Sequence, residues 1–414
     1  MSFRYLTAGE SHGKALIGIL EGVPSGLSLT HEEIQIQLRR RKLGYGRGAR
    51  QKIETDEVQI ISGVRLGKTL GSPISLWIEN RDWGSWKDVM QIEPRVREAS
   101  THLSDSQTSQ DLRGRAREID IPRPGHADWA GGVKYRHSDL RNVLERSSAR
   151  ETAMRVALGS VARSFLKALG IQVGSRVVEI GGVADSSLEE PSVQELSIEA
   201  LNLRADASSV RCLDGTAEGK MVQAIEAAKK AGDTLGGVFE VIAGEVPIGL
   251  GSYAQWDRRL EAEIGRAFLS LNAVKGVEIG LGFQSARLRG SEVHDEIYSA
   301  GGPELVQFRT NRSGGIDGGM STGQRLVIRA AMKPLSTLMK PLASVNLRTG
   351  ESTLAHIERS DFCAVPSAAV IGESLLCLVL TQMILEKVGG DSMEEVIHRV
   401  QEWRSIGPVR SSSV

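Results

Sequence analysis

Apolar residues recur at helical spacing in some segments and alternate in others, and the switches between the two periods outline the chain. Thr30 and Glu33 form a capping pair, Ile34 and Leu38 follow one turn apart, and Arg39, Arg40, Arg41 and Lys42 close the segment before Gly44. That pattern predicts a helix over 30–42 with a basic last turn. Residues 58–63 and 73–78 are β-type runs across a glycine-containing turn region, which predicts a hairpin. Ser148 and Glu151 make a second capping pair, and Val156, Leu158, Val161, Phe165 and Leu169 carry an amphipathic helix from there to Gly170. Residues 171–242 alternate short β-type and helical segments, with a helix over about 217–231 and a strand at 238–242. The run from Val365 to Leu385 is strongly apolar, but Glu373, Ser374, Thr381 and Gln382 interrupt it. A buried core helix suits it better than a membrane span. Residues 84–118 are polar and lack periodicity, so they read as an excursion from the core.

One echo bears on architecture. Gly22-Val23-Pro24-Ser25-Gly26-Leu27 returns as Glu245-Val246-Pro247-Ile248-Gly249-Leu250, each after a β-type run and before a helical one, which suggests a duplicated unit. A length of 414 residues admits several domains, yet no Pro-, Gly- or Ser-rich linker divides the chain, which favours one compact domain. Composition is that of a globular protein, 40% apolar and 25% charged. The 51 basic side chains balance 51 acidic ones, so no global field recruits nucleic acid or a membrane, and anion binding must come from local clusters. Cys212, Cys363 and Cys377 lack zinc-type spacing, so no metal site is predicted and reduced thiols in a cytoplasmic protein are expected. Residues 1–6 lack the apolar core of a secretory signal, and the expectation is a mature chain that starts there.

Candidate chemistry gathers in loops. His12 sits in Gly9-Glu10-Ser11-His12-Gly13 and His126 in Arg123-Pro124-Gly125-His126-Ala127-Asp128. Flanking glycines let backbone approach a ligand and leave each imidazole free for acid–base work, with Asp128 available to orient the second. Each is equally compatible with a loop histidine that merely caps a turn. Arg39, Arg40, Arg41, Arg47 and Arg50 crowd around Gly44 and Gly46. They can fold onto a small polyanion, lie solvated at a helix end, or meet nucleic acid, though Tyr45 is their one aromatic neighbour. Arg146-Ser147-Ser148 at the start of a capped helix offers amides, hydroxyls and a guanidinium to a phosphate. The segment 311–323 concentrates five glycines without the spacing of either nucleotide-binding loop. Asp361 precedes Pro366 and the apolar helix, either as a favourable acid near a helix start or as a proton acceptor.

In this order, the motifs at 9–13, 41–50, 123–128, 148–152, 311–322 and 359–366 resemble those of the chorismate synthase family, over about residues 4–391. The resemblance implies an α+β fold: a β-α-β sandwich with internal duplication, helices packed between antiparallel sheets, residues 1–391 as one catalytic domain and 392–414 as a helical extension and tail. It implies a lyase that converts 5-enolpyruvylshikimate-3-phosphate to chorismate and phosphate by anti-1,4-elimination with reduced FMN, working as a cytoplasmic homotetramer. An NADPH-dependent FMN reductase activity, alone or in addition, is the alternative. By the same resemblance His12 is the acid for the departing phosphate, His126 keeps the proton balance of the flavin, and Asp361 relays a proton. Arg41, Arg47, Arg50 and Arg123 are implied to grip substrate, with Arg41 and Arg47 also matching positions associated with NADPH. Flavin contacts fall on Arg146, Ser147, Ser148, Asn272, Ala273, Gly318, Lys333, Pro334, Leu335, Ser336, Thr337 and Arg359. Asn272 stands where glutamine is common, which changes a hydrogen bond without removing it.

Overall fold

Alternating apolar positions build two antiparallel sheets in the computed structural model, which describes residues 3–48, 53–94, 118–189, 195–299, 306–357 and 360–405. The first sheet holds β1 (Arg4–Ala8), β2 (Ala15–Glu21), β3 (Val58–Ser62) and, after a small ladder of β4 (Val64–Arg65) and β5 (Lys68–Thr69), β6 (Ile74–Glu79). Its order is β1-β2-β6-β3. Val58 lies opposite Ile78, so the predicted hairpin is present, with a bulge between Ile60 and Ser62. Period two turns Leu16, Leu20, Ile74, Leu76 and Ile78 to one buried face.

The second sheet holds β7 (Gln172–Ile180), β8 (Val183–Ala184), β9 (Gly237–Gly244) and β10 (Val274–Ile279). Two short hairpins follow, β11 (Ile297–Ser299) with β12 (Val306–Phe308) and β13 (Ile316–Asp317) with β14 (Met320–Ser321). Then β15 (Leu326–Met332) completes the order β10-β15-β9-β7-β8, and β16 (Ala343–Val345) with β17 (Ser352–Leu354) forms a last hairpin.

The helices are α1 (His31–Lys42), α2 (Asp128–Tyr135), α3 (Arg141–Ser147), α4 (Thr152–Ala168), α5 (Ile198–Ala207), α6 (Gly215–Lys230), α7 (Leu260–Leu269), the short α8 (Gly290–Val293), α9 (Val365–Val388) and α10 (Met393–Ser405). The result is a mixed α/β protein with several antiparallel sheets. α4 packs on β2 and β6 of the first sheet and on β7 of the second, while α9 packs on β7, β9, α1, α4 and α7. By length and composition α9 can cross a membrane, but 94% of its most apolar window is buried inside the protein, which makes it the core helix the interrupted pattern predicted.

Glycine permits the α4–α9 crossing. A Cβ on Gly159 would lie 2.4 Å from Ser374 Cβ and 2.8 Å from Ser374 Cα, so the two backbones meet only because that atom is missing. Gly159→Val is expected to destabilise the protein by about 1–3 kcal/mol through overpacking, read as a lower urea midpoint.

The predicted cap at Thr30 forms in full: Glu33 N–H donates to Thr30 Oγ1 at 3.3 Å, and Glu33 Oε2 accepts from Thr30 N at 2.9 Å. The second predicted box does not. Ser148 Oγ accepts from Arg150 N at 3.3 Å and caps a 3-10 turn, Glu151 pairs with Arg155 at 2.8 Å instead of reaching back, and α4 begins only at Thr152. Arg155 competes for the carboxylate because it lies one turn further along the same face. Arg146, Ser147 and Ser148 therefore stand at the end of α3 and the entry to that turn, not at the start of α4.

The sequence echo has a geometric counterpart. Thr69 Oγ1 donates to Pro24 O at 2.6 Å and accepts from Leu27 N at 2.9 Å. In the other half Ser321 Oγ donates to Pro247 O at 2.6 Å and accepts from Leu250 N at 2.8 Å. Each Val-Pro-x-Gly-Leu turn is thus stapled by one hydroxyl from a distant short strand.

Cys212, Cys363 and Cys377 are free and buried, and burial pushes each thiol up to about 11. Glu373 in the middle of α9 is wholly buried and meets Arg40, Arg163 and Arg211 together with Ser175 Oγ at 2.5 Å.

Candidate active site

His12 follows β1 on the glycine loop, and α3 fixes it. Glu145 Oε2 accepts from His12 N at 2.8 Å, and Glu145 Oε1 takes its Nδ1 at 2.9 Å. Trp86 stacks on the imidazole with ring centroids 4.0 Å apart. That tryptophan comes from the polar excursion at 84–118, most of which lies outside the described residues. Arg146 closes the loop from beside Glu145, donating to Thr7 O at 2.8 Å and Gly9 O at 3.2 Å.

His126 is held in the same manner by its own loop. Its Nδ1 lies 2.5 Å from Asp128 Oδ1, and Arg123 Nε donates to Asp128 Oδ2 at 2.9 Å. Burial would raise the Asp128 carboxyl, but the hydrogen bonds from His126 and Arg123 outweigh it and hold it well below the usual range. The turn is then docked onto the segment after β15: Arg123 donates to Thr337 Oγ1 at 3.1 Å, and Lys333 Nζ to Gly125 O at 2.6 Å. Leu335 O accepts from Thr234 Oγ1, and Pro334 and Ser336 lie in the same run.

Two hydrogen bonds, one from a side chain and one between backbones, join the histidine loops. Asn272 Nδ2 donates to Ser147 O at 2.9 Å, and Lys333 N to Ala273 O at 2.9 Å. Ala273 adopts φ +66°, a left-handed conformation seldom taken by an L side chain and a mark of an over-determined local geometry. Asn272 Oδ1 is buried without a hydrogen-bond donor among the described residues. Lys333 has no carboxylate partner among them either, and burial, with Lys275 nearby, lowers its ammonium. An acceptor awaiting a donor beside a cation awaiting an anion suits a ligand with both N–H or O–H and phosphate groups.

The arginines do not converge on one point as the glycine loop suggested. Arg39 turns to Glu32 on the surface and Arg40 to Glu373 and Asp206 in the core, because one helix sends successive side chains to different faces. Arg41 is buried and donates to Asp56 Oδ2 at 3.0 Å and Thr152 Oγ1 at 3.1 Å. Burial pushes its guanidinium down to about 10 despite Asp56, which leaves it charged at neutral pH. Arg47 pairs with Asp361 Oδ2 at 2.9 Å, while Gly48 N donates to Asp361 Oδ1 at 2.6 Å. Arg47 Nε is buried without an acceptor among the described residues. Arg50 and Arg359 lie outside the described residues. Gly318 lies at the β13–β14 turn with φ +59° and open space about it, and no hydrogen bond among the described residues ties it to the other candidates.

Glu145, Asp56 and Trp86 escape a reading of the sequence. Glu145 adjoins the Arg146 motif but lies 133 positions from His12, and nothing along the chain marks that pairing.

A mixed α/β scaffold that clamps two imidazoles with carboxylates, among buried guanidiniums, defines an acid–base enzyme for a small anion. Within that class the chain belongs to the chorismate synthase family, whose model matches residues 3–385. It is 53% identical to chorismate synthase of Symbiobacterium thermophilum over 95% of this chain and 96% of the relative. With that of Chlorobaculum tepidum the figures are 50%, 97% and 98%. A crystal structure of chorismate synthase superposes with TM-score 0.75 at 40% identity, covering 97% of both chains. The chain is accordingly an enzyme, a lyase of the shikimate pathway.

Proposed function

We propose that this chain converts 5-enolpyruvylshikimate-3-phosphate to chorismate and phosphate by 1,4-elimination in the presence of reduced FMN. The observation that carries the reading is the pair of carboxylate-clamped histidines on loops linked through Ser147–Asn272 and Gly125–Lys333. When bound, reduced FMN supplies electron density to the allylic phosphate and recovers it, so net redox change is zero.

The chain's own residues do the rest. His12, with Nδ1 engaged, presents Nε2 to protonate the departing phosphate. His126 keeps the proton balance of the flavin, and Asp361 relays a proton. Arg41, Arg47, Arg50 and Arg123 meet the substrate's anionic groups, and Arg41 is at the same time buried against Asp56. Asn272, Ala273, Lys333 to Thr337 and Arg146 to Ser148 hold the cofactor, joined by Gly318 and Arg359. The unsatisfied Asn272 Oδ1 and the carboxylate-free Lys333 fit such a group.

We read the fold as a β-α-β sandwich with internal duplication, supported by the contacts of α4 with both sheets and the paired Thr69 and Ser321 staples. In this reading residues 1–391 form one catalytic domain with 392–414 as its extension, in a cytoplasmic homotetramer without nucleic-acid or membrane partners.

Anaerobic protein with chemically reduced FMN should release phosphate from the named substrate. Folded, flavin-loaded protein that releases none would overturn the proposal. A parallel arm with oxidised FMN and NADPH alone tests reductase activity. Arg47→Ala is expected to raise KM for substrate well above any change in FMN affinity, and the reverse would move Arg47 to the cofactor side.

A further inference from the structure

We infer that Glu145 is the positioning residue of His12: its carboxylate holds the ring by Nδ1–H and leaves Nε2 as the atom that delivers the proton. The inference deepens the lyase reading and rests on it for the identity of the proton acceptor.

The geometry leaves little choice of roles. Both Glu145 oxygens lie within hydrogen-bond reach of Nδ1, at 2.9 and 3.0 Å, and Oε2 also receives the His12 backbone N–H at 2.8 Å. A carboxylate accepts only, so Nδ1 must carry hydrogen. Nε2 has no hydrogen-bond partner among the described residues, and the side chain keeps 16% exposure while Glu145 keeps 1%. Rotation of the ring about its stem is blocked by Trp86, stacked at 23° between the planes.

Other charges lie near the ring. Arg141, one turn before Glu145, lies 3.8 Å from Oε1 and 5.4 Å from the Trp86 centroid, and it partly offsets the carboxylate. Asp82 accepts from Trp86 Nε1 at 3.1 Å, and Glu10 lies two residues before His12 on its own loop. Among the described residues Glu145 is the carboxylate that touches the imidazole. Because Glu145 lies directly before Arg146, which ties to Thr7 and Gly9, the clamp and the loop it clamps are set by one turn of α3.

Long-range 1H–15N correlation spectra of the ligand-free full chain, labelled at histidine, read which nitrogen of the neutral His12 ring carries hydrogen, and the unaltered protein should show the Nδ1–H form. Glu145→Gln keeps the shape but offers an amide that donates as well as accepts, so a mixture of the two forms is expected. Glu145→Asp still only accepts and should keep the Nδ1–H form, and it carries the test if the glutamine variant does not fold. In phosphate release, Glu145→Gln should lower kcat with KM nearly unchanged. A ring that stays wholly in the Nδ1–H form in Glu145→Gln, or loses that form in Glu145→Asp, overturns the inference. If the unaltered protein releases no phosphate, the lyase reading fails while the spectra still decide the role of Glu145.

Discussion

His12→Ala is expected to lower turnover by about two to four decades, the range for loss of a positioned general acid. The dianionic phosphate of an allylic ester would leave as a trianion unless a proton reaches its bridging oxygen or its charge is otherwise met. In the proposed reaction His12 meets it: one nitrogen is held by Glu145, and the other is free among the described residues. Removing the imidazole takes away the donor but leaves the sheet and α3 in place, so far-UV circular dichroism and FMN binding should hold. His126→Ala should cost a comparable amount for a different reason. Its partner Asp128 would then be buried against Arg123 alone, and the Arg123–Thr337 contact that docks the loop would be loosened. FMN affinity should therefore fall in His126→Ala and not in His12→Ala. Equal turnover in both variants and the unaltered enzyme would remove the histidines from the chemistry.

The second large effect lies in the core. Glu373→Ala is expected to destabilise the protein by about 3–5 kcal/mol, the cost of leaving buried charges without their partner. Three arginines converge on this one carboxylate from α1, α4 and the segment after α5, so its loss leaves Arg163 without a carboxylate among the described residues and Arg40 and Arg211 sharing Asp206. Burial by itself would raise the Glu373 carboxyl, but Arg40 and Arg163 outweigh it and hold it at about 2, below its ordinary 4.5. A depressed carboxyl gives stability that is complete above the unfolded value and lost as pH falls through the folded one. Urea midpoints of the unaltered protein should accordingly decline from about pH 4.5 towards pH 2, with a smaller decline in a Glu373→Gln variant. Identical pH dependence in the two proteins would show that Glu373 does not carry this linkage.

Local chemistry made much of the fold legible. The Thr30–Glu33 cap, the hairpin of 58–63 with 73–78 and the interrupted apolar run all depend on residues in one short or contiguous stretch of chain. The second capping pair failed where a nearby alternative existed, because Arg155 offered Glu151 a stronger partner than a backbone amide. In the site, the two histidine loops and the pairing of His126 with Asp128 were readable from spacing, since Pro124 and Gly125 force a tight turn that returns the aspartate to the ring.

What the sequence determined by itself is the set of short-range devices: capped helices, alternating strands, glycine loops with their histidines, and the repeated Val-Pro-x-Gly-Leu turn. The tertiary structure alone decided which charge meets which. It sent Arg40 into the core and Arg41 to Asp56, brought Glu145 to His12 across 133 positions, and laid Trp86 on that ring. Side-chain period and capping act over one turn and leave a trace in spacing. A buried ion pair depends on where two elements cross, and no spacing along the chain records that.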